Sequence, residues 1–348
     1  MRIAVDVMGG DHGCETVVHG ARLALDQDWK IDQILLVGRE EEINPAIKRF
    51  SLRNSRVSVV NATQVLEMTD KPVEGLRKKK DCSVLRAVDL VKQGQADAII
   101  SPGNTGGLLA ASTIRLRTLK GIDRPGIPTV IPTDSSQFVL LDSGANIGAK
   151  PLHLVQYAVM GSIYSRTMLG CASPRVGLLC NGTEENKGTE LTQAALRLCR
   201  KVDINFIGYV EGHALFNNEV DVVVCDGFIG NIVLKTAESF AKCLVRFLKQ
   251  EFGKNPKRQL GALLAKSAFG AIKDRMDPDA YGGAPILGID GVVIKAHGSA
   301  NERAIMNAIR IACEAVKNRI TEKFSAELDA ADKVIKPLIQ DAEKNDTP

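Results

Sequence analysis

Aromatic residues make up only 4% of the 348-residue chain, with a single tryptophan. That scarcity argues against base-stacking nucleic-acid modules, which need Phe, Tyr or Trp platforms. The formal net charge of +4 is also too mild for a nucleic-acid footprint, although it suits an anionic ligand or an acidic protein partner. No nucleic-acid partner is expected. The eight cysteines, Cys14, Cys82, Cys171, Cys180, Cys199, Cys225, Cys243 and Cys313, never form Cys-x-x-Cys, and the five histidines contain no His-Glu-x-x-His pair. Such scattered residues read as reduced thiols of a cytosolic protein, and no metal is expected. The phosphate loop G-x-x-x-x-G-K-S/T is absent, and so is the dinucleotide fingerprint G-x-G-x-x-G, so no nucleotide cofactor is expected. No apolar run approaches the ~20 residues of a transmembrane helix. The chain opens directly in the strand-like RIAVDVM, and a secretory signal is not expected. A cytoplasmic protein with at most peripheral membrane contact follows.

What the chain does contain is short apolar runs, at Ile3–Val7, Ile34–Val37, Val57–Val60, Ala98–Ile100, Phe138–Leu141, Val176–Leu179, Ile204–Ile207 and Val220–Val224. Amphipathic stretches of helical period, such as SVLRAVDLVKQG and KGTELTQAALRLCRKV, separate most of them. Alternating strand and helix predicts a largely parallel sheet covered on both faces. Two lobes sharing a sheet are expected, with no linker between them. At about 232–276 two helical patterns follow one another, Ile232–Phe252 and Lys257–Met276, joined by GKNP. Leu260, Leu263, Leu264 and Phe269 lie on one side of the second, where core, dimer contact and membrane contact are all open readings. A single α/β/α domain at 1–324 and a polar tail at 325–348 are expected.

The chemistry is sought in the turns that end the strands, where a glycine turn feeding a helix offers backbone N–H groups to an anion. The first is MGGDHG, with Gly9, Gly10 and Asp11. The second is SPGNTGG, with Ser101, Asn104, Thr105 and Gly106; a simple helix cap on Asn104 or Thr105 is the plain alternative. LDSGANIGAK repeats the chemistry with Asp142 and Asn146. LLCNGTEENKGTEL places Gly182 and Lys187 before a helix, where a lysine opposes the macrodipole unless an anion joins it, or else is simply exposed. VVVCDGFIGN supplies Asp226, Gly227, Gly230 and Asn231. Here Asp226 either orients neighbouring donors or ligates a metal. YGGAPILGIDGVVIKAHGSAN ends in His297 and Ser299, a ligand pair or a structural one. Together these turns predict a crevice of amides around an oxyanion. The densest basic run, Arg77–Lys80, is either a solvated face or a landing patch for an acidic partner or for phosphate.

The ordered set DVMGGDHG, SPGNTGG, LDSGAN, GTEENKG, VDVVVCDGFIGN and YGGAPILG…HGSA resembles the bacterial phosphate acyltransferases, which are acyl-ACP:phosphate acyltransferases, from Arg2 to about Ile320. The sequence departs from that pattern at Pro102 and Gly107, where alanine is expected, and at Ser143, where valine is expected. The resemblance implies a three-layer α/β/α fold like the isocitrate/isopropylmalate dehydrogenases, with a protruding helical hairpin and no cofactor. It implies transfer of a fatty acyl group from acyl carrier protein to inorganic phosphate, for phosphatidic acid and phospholipid synthesis. It further implies a homodimer that associates peripherally with the membrane, where a membrane glycerol-phosphate acyltransferase uses the product. Lys187, Asn231 and His297 are then the expected catalytic residues. Three rivals stay open: a phosphotransacetylase-like enzyme using acyl-CoA, a non-catalytic acyl- or lipid-binding protein, and a covalent route through Cys225.

Overall fold

The computed structural model describes residues 1–27, 29–52, 54–275 and 282–345. Met276 and Tyr281, expected at the end of the hairpin and the start of the last loop, lie outside these residues.

The apolar runs become strands, and the central ones are buried on both faces. In the first sheet they are β1 (Arg2–Asp6), β2 (Gln33–Gly38), β3 (Val57–Asn61) and β4 (Ala98–Ser101). In the second they are β5 (Thr129–Pro132), β6 (Gln137–Leu141), β7 (Val176–Leu179), β8 (Phe206–Val210) and β9 (Val222–Val224). The chain then returns to the first sheet with β10 (Ala284–Pro285) and β11 (Val292–Lys295). The order is β10-β11-β4-β1-β2-β3 in one sheet and β5-β6-β9-β7-β8 in the other. All pairings are parallel except those of the edge strands β10 and β5.

Helices cover both faces. They are α1 (Gly13–Leu25), α2 (Glu40–Arg49), α3 (Pro72–Lys78), α4 (Ser83–Lys92), α5 (Thr105–Arg115) and α6 (Pro151–Met168). The rest are α7 (Glu190–Cys199), α8 (Gly227–Gly253), α9 (Pro256–Leu264), α10 (Lys266–Arg275), α11 (Glu302–Lys317) and α12 (Ile320–Asn345). One core of the first sheet joins Ile3, Val5 and Ile34 to α1 and α11, and another joins Ala4, Leu35 and Ile99 to α4 and α5. In the second sheet, α6 is buried from His153 to Ser165, as an element apolar on every side must be. Leu328 and Ile335, within the segment expected to be a polar tail, are buried in the same core on α12.

The α/β/α layering agrees with expectation, but the lobes do not share one sheet. Each has its own, and the two are stitched by bridges at Thr118–Ile289 and Gly126–Leu287. Val292–Lys295, assigned to a loop by sequence, is an interior strand between β4 and β10. The hairpin is present as α8 followed by α9 and α10, with Phe269 folded edge-on against Phe252 at 5.2 Å.

The α1–α11 contact depends on Gly20. A Cβ there would lie 2.6 Å from Ile305 Cβ and 2.7 Å from the Glu302 carbonyl oxygen, which belongs to a helix backbone that cannot easily yield. Gly20→Ala is expected to lower the unfolding free energy by about 1–3 kcal/mol. Urea denaturation checks this, and an unchanged midpoint would contradict the tight packing.

Candidate active site

The parallel register sets three polar side chains in one row at the carboxyl end of the first sheet. Val5 pairs with Ile100, and Lys295 pairs with Ser101, so Asp6, Ser101 and Lys295 end adjacent strands β1, β4 and β11. The Ser101 hydroxyl donates to Asp6 Oδ2 at 2.7 Å and accepts from Gly103 N–H at 3.1 Å. Met8 N–H donates to the same carboxylate. Burial pushes the Asp6 pKa upward against these donors.

Three turns meet above this row. Gly9 lies against the Gly103 backbone, where a Cβ would come within 2.4 Å of Gly103 Cα, and Gly10 lies beside the Pro102 ring. Asp11 N–H donates to Gly298 O at 2.8 Å, and Ala296 N–H to Ser101 O at 3.0 Å. Gly9, Gly10, Asp11, Ser101, His297 and Ser299 therefore converge. His297 Nδ1 accepts from Ser299 N–H at 3.2 Å and lies 2.8 Å from its hydroxyl, which leaves Nε2 to carry the proton. Partial desolvation lowers the His297 pKa, and Lys235 and Lys295 lower it further against Glu238 and Asp11, which favours the neutral ring. Asn104 is the plain cap: its Oδ1 accepts from Gly107 N–H at 2.9 Å, and its amide donates to the carbonyls of Glu67, Met68 and Asp70. Thr105 and Gly106 begin α5, where Gly106 touches Pro72 of α3.

The second sheet builds a matching turn around Asp142. Its buried carboxylate accepts from the backbone N–H groups of Ile127, Gly144, Ala145 and Asn146 at 2.7–3.2 Å. Burial raises its pKa while these amides pull the other way. The Asn146 amide is spent on Pro125 O and Tyr157 Oη. The start of α8 is pressed onto this turn. Gly227 N–H donates to Asn146 O at 2.9 Å, and a Cβ on Gly227 or Gly230 would collide with the Asp142 loop. Asp226 caps α8 through Ile229 N–H at 2.8 Å. Asn231, in the first turn of α8, stands exposed beside Gly144.

Gly182 and Lys187 occupy a third position, the loop between β7 and α7. Lys187 N–H donates to Glu184 O at 3.0 Å, its side-chain stem lies beside Gly182, and its ammonium end is exposed. Thr189, not the lysine, caps α7. Cys225 is buried, its Sγ 3.8 Å from Asp142 O, and burial pushes its thiol well up, so a thiolate is disfavoured there. Sequence reasoning missed Asp6, Lys295 and the Lys235–Glu238 pair of α8, whose charges act on His297. The available signal was a charge closing an apolar strand, Asp6 in RIAVD and Lys295 in VVIK. Lys235 lies one helical turn beyond Asn231, so both stand on one side of α8.

The α/β/α fold is shared with phosphotransacetylases of known structure. The phosphotransacetylase of Streptococcus pyogenes superposes with a TM-score of 0.61 at 18% identity, covering 91% of this chain and 94% of that one. The 4-hydroxythreonine-4-phosphate dehydrogenase of Klebsiella pneumoniae gives 0.52 at 13% identity, over 90% and 99%. Residues 1–323 match the family described as "Fatty acid synthesis protein". Phosphate acyltransferases of Desulfitobacterium hafniense (strain Y51) and Pelotomaculum thermopropionicum are 49% and 44% identical, covering 94% and 95% of this chain and 97% and 96% of theirs. The chain belongs to the phosphate acyltransferase family.

Asp142→Ala would leave four backbone donors without their acceptor, and each unsatisfied buried group costs about 1–3 kcal/mol. The variant is expected to lose about 3–5 kcal/mol of stability. Amide exchange at Gly144, Ala145 and Asn146 should accelerate well beyond the rest of the second sheet. Unchanged protection there would show that Asp142 does not organise the turn.

Proposed function

We propose that the protein transfers a fatty acyl group from the thioester of acyl carrier protein to inorganic phosphate, forming acyl phosphate. The observation that carries this reading is the family relationship at 49% identity across nearly the whole chain. The site suits it chemically. A phosphate oxygen attacks the thioester carbonyl, a C–O bond forms, the C–S bond breaks, and the thiolate leaves and takes up a proton. Phosphate is already anionic at neutral pH and thiolate leaves readily, so the protein must mainly align two anions and stabilise the tetrahedral oxyanion.

Lys187 and Asn231 are assigned to the reacting centre as cation and amide donor. His297, neutral with Nε2–H outward, donates to phosphate or carries the proton to the leaving sulfur. Gly9, Gly10, Gly227 and Gly230 let backbone approach the ligand, and Ser101, Asn104, Asp142, Asn146 and Asp226 hold those turns in shape. The acyl-CoA alternative shares the fold with the phosphotransacetylases, so donor preference separates the two.

Two partner surfaces accompany this reading. Arg77, Lys78 and Lys80 are exposed at the end of α3, while Lys79 is committed to Asp70 at 2.5 Å. We assign the three free cations to the acidic carrier protein, since α3 packs against α5 beside the Asn104 turn. The α8–α10 hairpin exposes Phe240, Phe247, Leu260, Leu263 and Leu264. No helix among the described residues is long and apolar enough to cross a membrane. We assign the body of the hairpin to a homodimer contact and its Leu260–Leu264 end to a membrane surface. There the acyl phosphate would pass to a glycerol-phosphate acyltransferase.

Phosphorus NMR of the purified protein with inorganic phosphate and acyl-ACP should show acyl phosphate, with acyl-CoA a poor substitute. Lys187→Ala should lower kcat by about 10²-fold or more. Product from CoA alone would move the protein to the phosphotransacetylase-like reading, and full activity of Lys187→Ala would remove that residue from the centre. Reversing charge at Arg77 and Lys80 should raise KM for acyl-ACP, most strongly at low salt, and leave KM for phosphate unchanged. An unaltered acyl-ACP KM would refute the landing patch.

A further inference from the structure

Lys295 is a buried cation that none of the steps above uses. Lysine is almost never fully buried unless paired, and its burial opposes the charged form. Here it is 9% exposed, at the end of an interior strand. Its ammonium donates to Pro102 O at 3.1 Å and to Ala296 O, carbonyls that belong to the β4 turn and the β11 turn. One side chain thus ties together two of the three turns that converge at the first-sheet crevice.

The surrounding charges give this position a second consequence. Asp6 faces Lys295 from β1, and Asp11 faces it from the loop before α1. His297 follows it on its own loop, and the neutral Cys82 thiol lies beyond Asp6. Two carboxylates close to a phosphate-binding turn would repel a dianion unless a fixed positive charge offset them.

We propose that Lys295 is the positioning residue of the phosphate subsite. Its ammonium locks the Pro102–Gly103 turn to the Ala296–His297 turn and cancels the field of Asp6 and Asp11 where phosphate binds. This rests on the acyl-phosphate reading above. Loss of the lysine's proton weakens its hold on both carbonyls and uncovers both carboxylates, so phosphate binding must weaken on the alkaline side. Burial lowers the Lys295 pKa to about 8, within reach of an ordinary assay. His297, whose pKa is lowered, titrates on the acid side and does not confound the window.

The test is steady-state kinetics of wild type, Lys295→Met and Lys295→Arg across neutral to alkaline pH, with phosphate and acyl-ACP varied separately. Lys295→Met should raise KM for phosphate about tenfold or more, with KM for acyl-ACP little changed. Wild-type KM for phosphate should climb as pH rises through about 8. Lys295→Arg, which stays charged, should keep partial activity and lose that climb. A folded Lys295→Met, verified by circular dichroism, with wild-type KM for phosphate would overturn the proposal. So would an alkaline climb that persists in Lys295→Arg, the comparison that decides if the methionine variant does not fold. If wild type itself forms no acyl phosphate, the acyl-transfer reading fails; an active wild type with indifferent variants refutes only the role of Lys295.

Discussion

Each sheet anchors its carboxyl-end turns on a buried carboxylate, and the rest of the site depends on that constraint. Asp142 gathers four backbone amides, and Asp6 holds the Ser101 hydroxyl and the Met8 amide. A carboxylate that closes an apolar strand cannot be left unpartnered. The chain leaving the strand must therefore bend back to supply donors, and that bend is the turn. Glycines follow because the partner turns then approach to backbone distance: Gly9 on Gly103 in one sheet, Gly227 and Gly230 on the Asp142 loop in the other.

This arrangement explains why so many polar residues in the turns are unavailable to a ligand. Asn104, Asn146, Ser101 and Asp226 spend their side chains on caps and carbonyls. The groups left over are few: the exposed Asn231 amide, the exposed Lys187, and His297 with its Nδ1 already committed to Ser299. Holding the turns and addressing a ligand are thus divided between different residues on the same loops.

Much of this was legible in the sequence, and the reasons differ by element. Apolar runs mark strands whether buried on both faces, as β1 and β4, or half-buried at an edge, as β3 and β8, so β1 to β4 and β6 to β9 emerged near their observed positions. The edge strands β5 and β10 did not, because antiparallel edges need only a few paired residues and tolerate proline, as Pro132 and Pro285 show. Val292–Lys295 was hidden by its setting among glycines, and the split into two sheets by the absence of any linker. Within the site, the turn motifs announced where the chemistry lies but not which side chains face inward. That distinction depends on register. Asp6, Ser101 and Lys295 form a row only because β1, β4 and β11, far apart in the chain, pair in phase.

The same register bears on how an enzyme of this class manages without strong acid–base machinery. Bringing phosphate to a thioester creates no charge that must be abstracted, but it concentrates negative charge in one crevice. The fold already spends carboxylates on shaping its turns, Asp6 in one sheet and Asp142 in the other. Compensation then has to come from fixed cations and amides held where water cannot replace them, since electrostatic stabilisation is strongest when the dipoles need no reorganisation. An exposed lysine such as Lys187 can reorient its ammonium, whereas a buried one such as Lys295, held by the Pro102 and Ala296 carbonyls, can only set the potential and the shape of the turn. The two lysines therefore differ in kind, one exposed on a loop and the other fixed between two turns.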